Sequence, residues 1–218
     1  MGRPLTEHEQ RDLLRVVRSN SRDHLLILLG LETGLRLGEL VALRVGDVKG
    51  QSEVTVPNIK GGGVAQVPLT LLAQTTIHCY LFPTRLAVFG DGEHSRCGSQ
   101  CRIQRGLHPL APLAPLFLSR GGGRLGQKGG GPLSARGAQS RLSFWKKKIG
   151  LGEDTTFHSL RHSFLARVWG KAADIHGVQA AARHKQPMVT ASHYTYSQPP
   201  TPVELQRLVE GSSLGDVI

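Results

Sequence analysis

The sequence has few cysteines and no long apolar run. The first observation argues against a disulfide-rich secreted domain, and the second argues against a membrane-spanning helix. The three cysteines, Cys79, Cys97 and Cys101, are an odd number, unlike the even set of a disulfide-stapled secreted domain. No N-terminal apolar stretch resembles a signal peptide. The longest strongly apolar run, residues 25–31, is much shorter than the roughly 20 residues of a membrane-spanning helix. We therefore expect a soluble cytoplasmic protein with reduced thiols.

Acidic residues are also scarce, and the resulting positive charge is unevenly distributed. The chain has 16 Asp and Glu against 27 Lys and Arg, a formal net charge of +11 at pH 7. Residues 83–150 alone carry 12 basic and 2 acidic side chains. A basic stretch of this kind favours a polyanionic partner, because neutralised phosphates release condensed counterions. A solvated basic loop would have the same composition, so charge alone leaves both interpretations about equally open.

Apolar periodicity predicts a mainly helical chain. Thr6 and Glu9 have the spacing of a capping box at the start of a first amphipathic helix. Residues 21–33 are apolar on nearly all sides and stop at Gly34, which predicts a buried helix with a left-handed cap. Further helices are expected at about 37–43 and 71–82, over 134–150 with Gly150 as its end, over 158–170 with Gly170 as its end, from near Asp174, and at about 187–196.

Residues 53–68 alternate in polarity and predict a β-hairpin. Three glycines separate its two β-prone runs, and Lys60 lies at the turn. The predicted fold is therefore mainly α with a small antiparallel β-sheet, an α+β class. Residues 84–131 are basic and rich in Gly and Pro. We expect this stretch to be a loop-rich insertion, much of it mobile without DNA.

Four segments of the chain combine Arg, Lys, His and Tyr in a fixed order. They are "LETGLRLGELVALRVGDV" at 31–48, "NIKGGGVAQVPL" at 58–69, "FHSLRHSF" at 157–164 and "AARHKQPMVTASHYTY" at 181–196. In order and approximate spacing they resemble the arginine box, hairpin lysine, His-x-x-Arg box and final tyrosine segment of tyrosine site-specific recombinases, the phage-integrase family. The resemblance implies a recombinase catalytic domain over residues 1–199 and DNA cleavage and rejoining through a 3′-phosphotyrosine.

The resemblance also implies six catalytic residues. They are Arg36, Lys60, His158, Arg161, His184 and Tyr194. A phosphodiester attacked by a phenol passes through a phosphorane with extra negative charge, which two guanidinium forks would stabilise. Lys60 would protonate the departing 5′ oxygen, and His158 is the better candidate to take the phenol proton. Tyr194 would store the bond energy, so no cofactor or metal is expected. Glu39 would orient Arg36.

Each of these residues alone has an ordinary structural explanation. A lone arginine is usually a surface cation, a tyrosine is more often part of a core or interface, and Lys60 beside three glycines fits a solvated turn. The four segments together, in the order of the family, argue against coincidence. The chain departs from the pattern in Arg183, where glycine is common before the histidine, and in one extra residue between His184 and Tyr194. Tyr196 therefore stays a reserve nucleophile.

The insertion contains residues that invite two further hypotheses. A zinc site would use two histidines and two cysteines: His94, Cys97, Cys101 and His108. Cys-x-x-x-Cys is looser than usual ligand spacing and no second cysteine pair exists, so unliganded thiols are the default expectation. The alternative is a DNA-contacting loop that uses its arginines: Arg96, Arg102 and Arg105.

Double-stranded DNA is the partner that the resemblance implies, bound by a homotetramer. The basic residues expected to contact it are Arg120, Arg124, Lys128, Arg136, Arg141, Lys146, Lys147 and Lys148. Two alternatives remain open. A type IB topoisomerase uses the same chemistry within one duplex, and a decayed recombinase scaffold would bind DNA without cleaving it. Integration, excision, inversion and resolution are all compatible with the sequence, as is a location at the nucleoid.

Both ends of the chain carry expectations about assembly. The family usually has a separate N-terminal clamp domain, whereas here the arginine box begins about thirty residues from Met1. We expect weaker and more salt-dependent DNA binding unless an accessory protein supplies contacts. Residues 200–218 place Val203, Leu205, Leu208 and Val209 at near-helical spacing. This tail is predicted to dock onto a neighbouring subunit, and the alternative is that it folds back on its own core.

Overall fold

A computed structural model of the protein describes residues 3–57, 64–82, 111–119, 131–171 and 201–215. Within these ranges the elements are, in chain order, α1 (Glu7–Val17), α2 (Ser21–Thr33), α3 (Leu37–Ala42), α4 (Val45–Val48), β1 (Glu53–Pro57), β2 (Val64–Pro68), α5 (Leu71–Leu81), α6 (Ala135–Lys148), α7 (Phe157–Lys171) and α8 (Pro202–Gly211). The structure confirms the predicted fold class, mainly α with a small antiparallel sheet. None of these helices is long and apolar enough to cross a membrane.

The first helix begins as the sequence predicts. The side-chain oxygen of Thr6 accepts a hydrogen bond from the Glu9 amide at 3.2 Å, and Glu9 Oε2 accepts one from the Thr6 amide at 2.8 Å. These bonds satisfy two of the amides that a helix start leaves unpaired. α1 buries Leu13, Leu14 and Val17 in the main core, so the capping box fixes where this apolar face begins.

α2 is the central helix and is buried on nearly all sides. It ends at Gly34, whose φ of +59° confirms the predicted left-handed cap. α7 packs against α2 so closely that a Cβ on Gly30 would lie 3.2 Å from Leu160 Cδ1. This close packing brings the first half of α7 beside the turn that leads from α2 into α3.

The end of α7 corrects one prediction. Gly170 was expected to close this helix, but the helix contains Gly170 and extends to Lys171. A single helical glycine costs only about 1 kcal/mol relative to alanine, which the packing of Phe164 and Val168 offsets. The Gly150 prediction is confirmed, because α6 ends at Lys148 and Gly150 has a φ of +69°.

The predicted hairpin is present. β1 pairs antiparallel with β2, with Val54 opposite Val67 and Thr55 opposite Gln66. Val54, Val56 and Val67 are buried in the main core, as expected for the inner face of a half-covered sheet. The turn residues 58–63 lie outside the described residues, as do the helices expected from near Asp174 and at about 187–196.

Part of the predicted insertion belongs to the core. Leu116 and Phe117 are fully buried, the Leu116 amide donates to the Leu43 carbonyl at 2.8 Å, and the Tyr80 hydroxyl donates to the Leu116 carbonyl at 3.1 Å. The segment 111–119 therefore ties α5 to the chain around α3. Residues 84–110 and 120–130 of the insertion lie outside the described residues.

The C-terminal tail forms a helix that packs on its own chain. Val209 of α8 shares a buried cluster with Phe164 and Val168 of α7. Glu210 Oε1 accepts a hydrogen bond from the Leu71 amide at 3.1 Å. These contacts favour the alternative in which the tail folds back on its own core. Docking onto a neighbouring subunit stays a prediction, and it would require these contacts to break.

Candidate active site

Arg36 precedes α3 and is held by Glu39 from the first turn of that helix. Glu39 Oε2 accepts from the Arg36 amide at 2.7 Å, and Arg36 Nη1 lies 3.3 Å from Glu39 Oε1. The Glu39 side chain is only 4% exposed, whereas the Arg36 side chain is 51% exposed. A buried carboxylate thus orients a guanidinium whose other face is open to an external anion.

Arg161 reaches the same turn from α7. The side chain is buried, and Nη1 donates a hydrogen bond to the Gly34 carbonyl oxygen. Gly34 lies two residues before Arg36, so the residue that holds Arg161 is at most about 7 Å of chain from Arg36 itself. The structure thus places the acceptor of Arg161 close in the chain to Arg36, and the convergence of the six catalytic side chains on one basic concavity stays a prediction.

Gly34 is required at this turn for two reasons. Its φ of +59° is a conformation that side chains with a Cβ disfavour. A Cβ at this position would also lie 2.4 Å from Phe164 Cδ1, because the Phe164 ring lies directly against the glycine. Phe164 therefore keeps α7, which carries Arg161, in close contact with the turn that leads to Arg36.

His158 lies at the exposed start of α7, one turn before Arg161. Its amide donates to Thr156 Oγ1 at 3.2 Å, and residues three apart on a helix share a face. Its ring centroid is 4.6 Å from that of His162. Burial, together with electrostatic interactions with His158 and Arg161, lowers the pKa of His162. His162 was not predicted as a site residue. Its position four residues after His158 places both rings on the same face of a helix, and this spacing could have indicated that the two are neighbours.

Lys60, His184 and Tyr194 lie outside the described residues, as does the reserve nucleophile Tyr196. The same holds for three expected DNA contacts, Arg120, Arg124 and Lys128. The zinc and arginine hypotheses of the insertion fall there too, since they concern residues 94–108. Among the described residues, no group of three or more His, Cys, Asp or Glu side chains is placed to hold a metal ion.

The basic residues of α6 do not all face solvent. Arg136, Lys147 and Lys148 are exposed. Lys146 is buried, and its Nζ donates to the Glu153 carbonyl at 2.6 Å and to the Thr155 carbonyl at 3.2 Å. The prediction that Lys146 contacts DNA is therefore corrected: its ammonium fixes the loop after α6 instead.

Arg141 is partly occupied by a buried carboxylate. Its Nε donates to Asp23 Oδ2 at 2.7 Å, and the Trp145 indole N–H donates to the same oxygen at 2.8 Å. Burial pushes the pKa of Asp23 upward, but the charge of Arg22 and hydrogen bonds from Trp145, Arg22 and Arg141 outweigh it, so the pKa lies below its usual value. Arg141 therefore joins α6 to α2 through Asp23. Any contact that Arg141 makes with DNA would be made in addition to this structural role.

Two cations lie over the ring of Phe144, which is exposed on α6. Arg141 lies 4.7 Å from the ring centroid and Lys148 Nζ lies 4.8 Å from it. Cations at these distances are attracted by the negative face of the ring. The exposed surface of α6 is thus basic and partly aromatic, and these contacts restrain Lys148 there.

The family model described as the phage integrase family matches residues 3–200. The chain belongs to the phage integrase family. Tyrosine recombinase XerD of Corynebacterium glutamicum is 30% identical over 175 residues, which are 80% of this chain and 48% of that protein. Tyrosine recombinase XerC of a Roseiflexus species is 29% identical over 201 residues, 90% of this chain and 56% of that protein. The chain thus spans about half the length of the relatives it matches.

Solved structures of recombinases and integrases share the fold. A XerA recombinase superimposes with a TM-score of 0.63 at 23% identity, covering 85% of this chain and 56% of that one. The integrase of mycobacterium phage Brujita has the same TM-score at 18% identity, covering 98% and 58%. A XerH recombinase bound to its difH substrate before cleavage has a TM-score of 0.60 at 22% identity, covering 84% and 47%. These likenesses establish the fold.

Proposed function

We propose that this chain is the catalytic domain of a site-specific DNA recombinase that cleaves and rejoins strands through a 3′-phosphotyrosine. The observation that carries the proposal is the turn at Gly34, which anchors Arg161 and leads directly into Arg36. Two guanidinium groups held near one turn suit the non-bridging oxygens of a single phosphate. Membership of the phage integrase family supplies the class of reaction.

The chemistry assigns one task to each residue. The Tyr194 oxygen attacks the phosphorus, so a bond from tyrosine to phosphorus forms as the bond from phosphorus to the 5′ oxygen breaks. His158 takes the phenol proton and Lys60 gives a proton to the 5′ oxygen. His184 donates a further hydrogen bond to the phosphate, and Glu39 holds Arg36 in place. The assignments of Lys60, His184 and Tyr194 rest on the sequence segments alone.

Double-stranded DNA is the proposed partner, with phosphates contacted by the exposed face of α6. The exposed cations of this face are Arg136, Lys147 and Lys148, and the half-buried Arg141 is on the same helix. Arg120, Arg124 and Lys128 join this set from their sequence alone. The solved XerH recombinase binds difH DNA and the Tn1549 transposon integrase is solved with circular-intermediate DNA, which supports DNA as the ligand. We propose assembly as a homotetramer on DNA, in the cytoplasm at the nucleoid.

A trapping experiment tests the proposal. The full chain is incubated with a pool of duplexes of randomised sequence, each with a nick placed so that the cleaved strand loses its 5′-hydroxyl fragment. Complexes that survive detergent are recovered and sequenced. Covalent protein on a consensus duplex supports the recombinase chemistry, whereas reversible binding alone would favour the decayed DNA-binding scaffold.

The type IB topoisomerase alternative needs a second assay. The consensus duplex is placed twice in one plasmid, and the products are separated after incubation with the protein. We expect excised or inverted segments, because the relatives are recombinases. Relaxed circles without recombinants would show the same cleavage chemistry without strand exchange and would favour the topoisomerase.

A further inference from the structure

Glu32 links the C-terminal segment to the last turn of α2. Its carboxylate is buried and accepts hydrogen bonds from Thr70 Oγ1 at 2.6 Å, from Ser213 Oγ at 2.9 Å and from the Leu214 amide at 3.0 Å. A buried carboxylate is strongly unfavourable unless several donors satisfy it. Two of these three donors come from the residues just after α8.

Arg167 makes a second connection between the same two parts of the chain. Its Nε donates to the Ser212 carbonyl at 2.8 Å, and its Nη2 donates to the Leu31 carbonyl at 2.6 Å. The same Nη2 lies 3.4 Å from Glu32 Oε1. Arg167 thus bridges the C-terminal segment and the last turn of α2 from its position on α7.

The third connection is apolar and ends at the proposed active site. Val209 of α8 packs in one cluster with Phe164, and the Phe164 ring lies against Gly34. All three connections therefore meet at residues 31–34. Arg36 lies two residues after Gly34, and the Gly34 carbonyl accepts the hydrogen bond from Arg161.

We propose that residues 212–214 position the arginine pair of their own chain, with Glu32 and Arg167 as positioning residues that transmit the contact. The inference rests on the proposed function, because it concerns the rate of that reaction. Docking of the tail fixes the end of α2, and the end of α2 fixes both the Gly34 carbonyl that holds Arg161 and the backbone that leads into Arg36. The docked tail therefore accelerates cleavage within bound DNA, while the affinity for DNA depends on other surfaces.

Single-turnover cleavage of the trapped consensus duplex separates positioning from folding. Removal of residues 212–218 is expected to lower the cleavage rate constant about 10- to 100-fold, the range expected for misplacement near 1 Å, with unchanged Kd and full final amplitude. Ser213→Ala should cause a smaller decrease of the same kind. Glu32→Gln should restore most of the rate lost in Glu32→Ala, because an amide can donate to both hydroxyls and accept from the Leu214 amide. Val203→Ala, on the exposed side of α8, is the matched control.

Two outcomes overturn the inference. A truncated chain that cleaves at the wild-type rate with reduced amplitude has only lost folded protein. Restoration of the truncated chain by added full-length Tyr194→Phe protein would mean that the tail acts on a neighbouring subunit. If the added protein does not restore cleavage by the truncated chain, the tail acts within its own chain. A wild-type chain that forms no covalent complex defeats the proposed function itself, so the two failures are distinguishable.

Discussion

The guanidinium of Arg161 donates a hydrogen bond to the main-chain carbonyl of Gly34. This bond connects the His-x-x-Arg segment on α7 to the first arginine segment, although the two residues are far apart in sequence. Because the acceptor is a backbone atom of a rigid left-handed cap, the position of Arg161 depends on the shape of the turn. The arginine pair is therefore sensitive to changes in residues that never contact the phosphate.

Gly34→Ala should destabilise the protein more than glycine replacement at an open left-handed position. The new Cβ meets Phe164 at 2.4 Å, and strain at positive φ is added to this overpacking, for an expected loss of about 2–4 kcal/mol. Gly50→Ala is the control, because Gly50 has a φ of +70° with nothing within 4 Å. Urea denaturation measures both. If both variants lose the same unfolding free energy, the contact between residue 34 and Phe164 does not contribute to the loss.

Arg36→Lys should lower the cleavage rate by about 10²–10³-fold while the protein stays folded. Lysine keeps a cation beside the buried Glu39 carboxylate, but it lacks the planar fork that addresses two phosphate oxygens. Single-turnover cleavage and thermal unfolding are measured together. A lysine variant with wild-type cleavage would mean that Arg36 supplies only charge.

Three neighbouring lysines of α6 should divide into two classes. Lys147→Gln and Lys148→Gln should each weaken DNA binding and reduce the slope of log K against log salt by about 1, because both side chains are exposed. Lys146→Gln should leave the slope unchanged and lower the unfolding free energy, because its ammonium is bonded to two carbonyls. A reduced slope for Lys146→Gln would restore the original prediction of a DNA contact.

Glu9 should stabilise the protein in a pH-dependent way. The hydrogen bond from Arg3 lowers the pKa of Glu9 to about 2 from its ordinary 4.5. Since the folded pKa is below the unfolded one, the contribution is complete above about pH 4.5 and is lost as the pH falls toward 2. Its size should be about 1 kcal/mol or less, because the pair is solvent-exposed.

The measurement is the difference in unfolding free energy between wild type and Glu9→Gln across this pH window. The difference should be constant at neutral pH and shrink below pH 4.5. Glu7→Gln, on the same helical turn, removes a carboxylate without removing the Arg3 contact and serves as the control. A difference that stays constant down to pH 2 would contradict the assigned interaction.

Local patterns were predictable because their causes lie within a few residues. The Thr6 capping box, the Gly34 cap and the hairpin each depend on neighbours in sequence, and the structure confirms all three. The pairing of Arg36 with Glu39 is local in the same sense. These patterns were sufficient to predict the fold class and the elements that carry half of the proposed site.

Other features depend on contacts between distant segments, which composition does not encode. Lys146 resembles its exposed neighbours in sequence, and only the approach of residues 153–155 makes it a buried donor. Leu116 and Phe117 lie in a Pro-rich stretch that resembles a loop until they enter the core. α4 is only four residues long, too short to show periodicity. The pairing of Glu32 with Ser213 spans most of the chain.

The identity of the nucleophile is the claim on which the proposed function most depends. Tyr194→Phe should abolish the covalent complex while leaving DNA affinity nearly intact, since only the nucleophilic oxygen is lost. Tyr196→Phe should have a small effect. On a helix a two-residue displacement rotates the side chain by about 200°, so the two phenols would not reach one phosphate with the same backbone.

Peptide mapping of the trapped wild-type complex tests this claim most directly. After nuclease and protease digestion, mass spectrometry locates the nucleotide-bearing phosphotyrosine within the peptide that contains both tyrosines. We expect the label on Tyr194 and none on Tyr196. Label on Tyr196, or a covalent complex formed by the Tyr194→Phe protein, would contradict it.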